Sequence, residues 1–303
     1  MATIDGQYRV VQVEGQGYGY IDPTAWASMP RWARRKIHVL KRCRTEKEAQ
    51  EAQRDLPRDW GGGMALFDHP LRLTKLLAAE DEPQINETMA ALGLADDGAP
   101  LYARLPSPNV GNILVVGGPG CGKSTLLHSI VLSLAVWNAS KRLAFVLVGD
   151  RLQHLDTLPH STLTINPWDA SSAFDGLLAQ VKQYAPLEPH MVLVVDEPAC
   201  GIDALIELAS YRGKGMHAIV ATRSIETATE LIASRYFPAC VAGRGVGGLQ
   251  IPGYNMAKIA GLQEPGQFVA FAEGAAFPFW AAQSGPRDVQ ALIKQGALGV
   301  RPG

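Results

Sequence analysis

Four short segments of the chain are apolar almost without interruption: NILVV at 112–116, LAFVLV at 143–148, MVLVV at 191–195 and AIVA at 218–221. Continuous rather than alternating apolarity predicts strands covered on both faces, the condition of a parallel sheet in an α/β domain. The segments between them have helical length. The first, 124–137, is apolar almost all round, which predicts a helix buried against the sheet. The amino-terminal region is patterned differently. Tyr8–Glu14 alternates, GYGYID at 17–22 can return beside it as a hairpin, and Ile37–Leu40 adds a third short apolar piece. Thr45 then opens a helical stretch in which Glu48 has capping-box spacing. A small α+β unit is therefore expected over 1–60. It exits through three consecutive glycines, Gly61–Gly63, into a linker or adaptor over 61–97 that includes the polar, acidic stretch Ala79–Asn86.

Composition narrows the classes. With 47% hydrophobic residues in 303, the chain has enough apolar material for a large core, so disorder is not the dominant state. The 28 Lys+Arg balance 29 Asp+Glu, so a nucleic-acid partner must be argued from local charge. The longest apolar stretches, Leu126–Trp137 and Phe268–Ala282, are shorter than the roughly 18–20 residues of a membrane span, and Met1–Gly15 contains no signal-peptide core. Cys43, Cys121, Cys200 and Cys240 are scattered, and the seven histidines lack ligand spacing, so neither a disulfide framework nor a zinc site is indicated. A cytoplasmic location is the expectation.

The chemistry begins directly after NILVV. Gly117-Gly118-Pro119-Gly120-Cys121-Gly122-Lys123-Ser124-Thr125 satisfies GxxxxGK[ST], with a predicted strand before it and a predicted helix after it. Its glycines let backbone N–H groups curl around phosphate oxygens at the positive end of the helix. Lys123 would reach the β and γ phosphates, and Ser124 would hold Mg²⁺. Cys121, inside the loop, reads as a small packing residue. About 70 residues later, MVLVV delivers Asp196-Glu197 at a strand's carboxyl end. This is a Walker B arrangement, in which Asp196 would position Mg²⁺ and Glu197 would orient and deprotonate the attacking water. A glutamate beside the metal-positioning aspartate favours hydrolysis over transfer to a small molecule. Gly243–Gly248 is Gly-rich but lacks GK[ST], and reads as a flexible turn.

These motifs, with Arg212-Gly213-Lys214-Gly215-Met216-His217 leading into Ala218–Arg223, resemble the FtsK/SpoIIIE family of DNA translocases. The likeness starts near Gly98-Ala99-Pro100-Leu101, passes through Val148-Gly149-Asp150-Arg151 and Leu158-Pro159-His160, and reaches Phe237-Pro238 and Arg244. It implies a RecA-like P-loop ATPase domain with a mostly parallel sheet over 98–290, a carboxyl-terminal tail over 291–303, and ATP and Mg²⁺ as cofactors. It further implies Thr222 as a sensor near the γ-phosphate and a ring oligomer, commonly a hexamer, with an arginine supplied in trans. Arg212, Arg235 and Arg244 are the candidates for that arginine. The family's sensor glutamine has no clear counterpart: Arg223 occupies that position, or a deletion has removed it; and neither a hydrophobic membrane region nor a winged-helix domain is visible.

One further feature points to a partner. Between Arg31 and Lys47 lie eight basic residues against one acidic residue, Glu46, with Trp32 interleaved. Arg34, Arg35, Lys36, Lys41, Arg42 and Arg44 are the candidates for salt-sensitive contact with DNA phosphates; a solvated charged face is the competing reading. The expectation is an ATP-hydrolysing motor on double-stranded DNA. The alternatives are a related ATPase acting on a protein substrate, as in secretion systems, or an ATP-dependent DNA-binding or assembly factor with low turnover.

Overall fold

The computed structural model describes residues 8–13, 17–21, 37–47, 72–78, 88–95 and 99–294. The chain divides into two compact units, one comprising Met1–His69 with Leu94–Ala99, the other Pro70–Gly93 with Pro100–Gly303.

In the first unit, β1 (Tyr8–Val13) is the centre of a three-stranded antiparallel sheet, flanked by β2 (Gly17–Ile21) and β3 (Ile37–Cys43). The hairpin register sets Val11 opposite Gly19, and on the other side Val13 opposite Ile37. Of the predicted DNA contacts, Arg34, Arg35 and Lys36 lie outside the described residues. Lys41 and Arg42 are consecutive positions on β3, and Arg44 follows it, exposed. The helix expected from Thr45 is described only at Glu46 and Lys47.

The second unit is built on a ten-stranded sheet with β4 (Met89–Ala95), β5 (Pro100–Arg104), β6 (Ile113–Val116), β7 (Leu143–Val148), β8 (Ser161–Ile165), β9 (His190–Asp196), β10 (Met216–Thr222), β11 (Ala239–Gly243), β12 (Gln267–Ala272) and β13 (Ala275–Ala281). Its order is β5-β4-β13-β12-β11-β6-β10-β9-β7-β8. The six strands from β11 to β8 are mutually parallel, and β12 and β13 extend them antiparallel. All four continuously apolar runs are strands of the parallel part. Apart from the half-buried Met191 they are fully buried, because helices lie on both faces.

One face is covered by α3 (Ala170–Tyr184), α4 (Ile202–Ser210) and α5 (Ile225–Ala233), whose Phe174, Val181, Leu205, Leu208 and Leu231 pack on Leu114, Val148, Leu193 and Val220. Each such side chain contributes about 1.5–3 kcal/mol of burial. Short helices α1 (Leu73–Ala78), α6 (Ala257–Ala260) and α7 (Pro286–Lys294) complete the helical set among the described residues. Helix α2 (Lys123–Trp137) follows the P-loop and contacts β9, β10 and β13. Its apolar surroundings oblige its serines to find partners: Ser129 Oγ donates to the Ala282 carbonyl at 2.6 Å, and Ser133 Oγ accepts from the Ala91 N–H at 2.9 Å.

One expectation changes here, and one apolar stretch gains a structure. The segment expected as linker contributes β4 to the large sheet, with Met89–Leu94 buried. The apolar stretch 268–282 is the β12–β13 hairpin, turned at Glu273 (φ 54) and Gly274 (φ 77). Among the described residues, no helix is long and apolar enough to cross a membrane.

Candidate active site

The P-loop leaves the carboxyl end of β6, whose neighbours are β10 and β11. Because the connections from this region leave in different directions, the strand ends open a crevice there, the usual ligand position in an open α/β sheet. The loop's start is anchored by backbone: the Gly117 N–H donates to the Thr222 carbonyl at 3.2 Å, and the Gly118 N–H to that of Arg244 at 2.8 Å. Gly122, at φ 106, is the left-handed residue from which α2 begins.

Lys123 is 6% exposed, and its Nζ donates to the carbonyls of Gly117 at 2.8 Å and Gly118 at 3.3 Å and pairs with Glu197 Oε1 at 3.2 Å. Ser124 Oγ donates to Asp196 Oδ2 at 2.7 Å. Asp196 Oδ1 is buried without a hydrogen-bond partner among the described residues. Burial pushes the Asp196 carboxyl above its ordinary range; the Ser124 hydrogen bond opposes this, the Glu197 charge adds to it, and Arg151 and Lys123 pull it down. A hydroxyl and a carboxylate with one oxygen to spare are the hard oxygen donors that Mg²⁺ takes, so Ser124 and Asp196 fit the ion. Glu197 has φ 63, rare for a residue with a side chain and characteristic of strain held at functional sites. Its backbone N–H donates to the Ala221 carbonyl at 2.8 Å, and its Oε2 accepts from the Arg223 N–H at 2.9 Å. Arg223 thus supports Glu197 through its main chain, while its side chain is exposed.

The other predicted residues separate by sheet edge. Thr222 is 2% exposed at the end of β10, and its Oγ1 accepts from the Ser224 N–H at 3.0 Å. Arg244, after β11, lies beside the P-loop, and its Nη1 donates to the Gln263 carbonyl at 3.0 Å. Arg212 precedes β10 and Arg235 precedes β11, at the opposite ends of the parallel strands from the P-loop of the same chain. Arg212 is packed so closely over Gly111 that a Cβ there would stand 2.8 Å from its Cδ.

The Gly243–Gly248 segment, expected as a flexible turn, is packed against the nucleotide loop. A Cβ on Gly245 would stand 3.1 Å from Gly118 Cα, so two glycines are what let the loops touch. Cys121 is buried beneath the P-loop as a packing residue, and burial raises its thiol pKa despite the Lys123 charge.

Sequence reasoning assigned no role to Arg151, whose Nη1 lies 3.3 Å from Ser124 Oγ, nor to Pro265, Gly266 and Gln283. With Gly120 and Gly122–Thr125 these line a cavity of about 290 Å³ at the start of α2. Arg151 carried a signal: it follows the Gly149 that ends an apolar strand next to the Walker B strand. The 265–283 lining carried none, because it comes from an antiparallel hairpin far along the chain.

The fold and these contacts define a P-loop ATPase domain. Residues 79–187 match the model of the FtsK/SpoIIIE family. The ESX secretion system protein EccC of Thermomonospora curvata is 35% identical over 86 residues, 27% of this chain and 6% of that protein. The ESX-4 secretion system protein EccC4 of Mycobacterium tuberculosis is 35% identical over 102 residues, 31% of this chain and 8% of that protein. The matched region thus spans less than a tenth of either relative. Among solved structures, the cytoplasmic domain of T. curvata EccC superposes with a TM-score of 0.61 at 21% identity, covering 77% of this chain and 35% of that one. T. curvata EccC ATPases 2 and 3, in complex with a signal sequence peptide, superpose with a TM-score of 0.58 at 20% identity, covering 71% and 43%. At these identities the superpositions speak for the fold.

Proposed function

We propose that the chain is the ATP-hydrolysing engine of a motor that binds and moves double-stranded DNA, working as a ring of copies, a hexamer by family resemblance. The observation that carries hydrolysis is the position of Glu197. Its carboxylate is held by the Arg223 N–H and Lys123 Nζ beside the Ser124–Asp196 pair, where it would orient a water and take its proton. Lys123 would neutralise phosphate charge, with the P-loop N–H groups around it. Mg²⁺, held by Ser124 and Asp196, would supply further neutralisation of the phosphates when bound. Thr222 would act near the γ-phosphate. Arg212 and Arg235 are the candidates for action in trans, since they stand at the strand ends remote from their own P-loop; Arg244 belongs to its own.

DNA as the track is supported by the eight basic residues against one acidic residue between Arg31 and Lys47, with Arg34, Arg35, Lys36, Lys41, Arg42 and Arg44 the proposed contacts. A second reading, a polypeptide track, is favoured by the two relatives named as secretion-system proteins and by the signal peptide bound to one solved neighbour. The deciding experiment is the ATPase rate with and without linear double-stranded DNA, beside Lys123→Ala. Stimulation by DNA that disappears in Lys123→Ala is the expected result. A rate indifferent to DNA across lengths and salt overturns the DNA reading, and stimulation by a signal-sequence peptide in its place would establish the second.

A further inference from the structure

The cavity at the start of α2 holds a cation that the motifs leave unexplained. A Cβ on Gly149, at φ 134, would stand 3.0 Å from both Cβ and the carbonyl oxygen of Asp196, so the ends of β7 and β9 approach as closely as a glycine allows. This approach brings the following 3₁₀ turn, Asp150–Leu155, over the first turns of α2. Arg151 Nη1 thereby reaches 3.3 Å from Ser124 Oγ and lines the cavity with Gly120, Gly122, Lys123 and Thr125. Its side chain is exposed and makes no close ion pair among the described residues.

Its main chain, by contrast, is fixed. The Arg151 carbonyl is 2.9 Å from His128 Nε2, one helical turn beyond Ser124. A carbonyl only accepts, so the His128 ring carries its proton on Nε2. The ring also meets His154, in the same 3₁₀ turn, edge to face at 4.3 Å between centroids. Burial, with a smaller contribution from His154, lowers His128 to about 4, which keeps this clamp neutral near pH 7. The loop lysine and Arg151 are thus both referenced to α2, and they approach the P-loop mouth from different sides. Lys123 comes from the Gly117, Gly118 and Glu197 side, and Arg151 from the β7 side past Ser124.

We propose that Arg151 is a phosphate-binding residue of the nucleotide site, acting in cis on the terminal phosphoryl group of a nucleoside triphosphate and so separating triphosphate from diphosphate. The assignment rests on the nucleotide reading of the P-loop. A planar guanidinium presents paired N–H donors that match phosphate oxygens, and the terminal phosphoryl group carries the charge that a diphosphate lacks at that position.

The test is equilibrium binding of ATPγS and ADP, with Mg²⁺, to the full chain and to Arg151→Ala, Arg151→Gln and Arg151→Lys, with thermal melting to verify folding. Arg287→Ala, an exposed position on α7, which contacts the same 3₁₀ turn, controls for loss of a positive charge. Arg151→Ala and Arg151→Gln should weaken ATPγS by about tenfold or more and ADP by less than about twofold. Arg151→Lys should recover part of the loss, and Arg287→Ala should show no such bias. Equal losses for both nucleotides, or none, in folded Arg151 variants overturn the assignment while leaving the nucleotide site intact. A wild-type chain that binds neither nucleotide, or a Lys123→Ala chain that binds ATPγS undiminished, overturns the nucleotide reading and this assignment with it.

Discussion

Replacing Gly117, the first residue of the nucleotide loop, sets a new methyl group against a single atom. A Cβ at this position would stand 2.3 Å from Cys121 Sγ, whereas the next atoms, Lys123 Cγ at 3.5 Å and Cys121 Cβ at 3.6 Å, are at ordinary contact distance. Gly117 is not in the left-handed region, so the obstacle is the sulfur and not the backbone. The thiol has little room to retreat: it is 1% exposed, and a Cβ on Gly243 would lie 3.1 Å from it on another side. Overpacking of this kind costs about 1–3 kcal/mol. Gly117→Ala should lose that much stability and, by displacing the loop that carries Lys123, weaken ATP binding. Cys121→Ala removes the obstructing sulfur, and in the double variant the methyl group introduced at position 117 occupies the space released. The two substitutions should therefore couple favourably by about 1–3 kcal/mol. Urea denaturation of the four proteins gives the cycle, and ATPγS titration follows the loop. Additive losses, with the double variant at least as unstable as the sum of the singles, would refute the steric account.

Three further outcomes follow from the same contacts. Glu197→Gln should lower the hydrolysis rate by about 10²–10⁴ while retaining nucleotide binding, because a carboxamide oxygen can still accept from the Arg223 N–H; parallel rate and binding measurements check both halves. Asn112 is fully buried, donates to the carbonyls of Ala209 at 2.8 Å and Tyr236 at 2.7 Å, and accepts from the Ala218 N–H at 2.8 Å. Asn112→Ala orphans three backbone groups and should cost about 3 kcal/mol or more in urea denaturation; Asn112→Asp should fail to rescue it, since a carboxylate cannot donate. His217, 2% exposed, is lowered from 6.5 to about 4 chiefly by burial. The unfolded chain therefore binds more protons than the folded one between those values. Stability should rise from pH 4 to 6.5, by up to about 3 kcal/mol from this residue, and His217→Gln should flatten that part of a pH series of melts.

Much of this protein is decided within short stretches of chain. Continuous apolarity marks β6, β7, β9 and β10, because a strand covered on both faces has no solvent side to make polar. The spacing of Gly117–Thr125 marks a phosphate loop, because only that arrangement of glycines and lysine suits a strand-to-helix turn around phosphates. Asp196 and Glu197 are legible by their place at a strand's end. The antiparallel extension was harder to see: the interruption of the apolar stretch 268–282 at Glu273 and Gly274 was legible, but only the structure makes it the turn between β12 and β13. What no local reading could supply is adjacency across the sheet. Ser124 meets Asp196 from 72 positions away, and Glu197 rests on an N–H 26 positions further on. Arg244 stands at its own P-loop while Arg212 and Arg235 stand at the opposite ends of the strands. The order of strands decides these placements. That order is set by how whole faces pack and how close glycines let neighbouring strand ends come, neither of which is a property of any one segment.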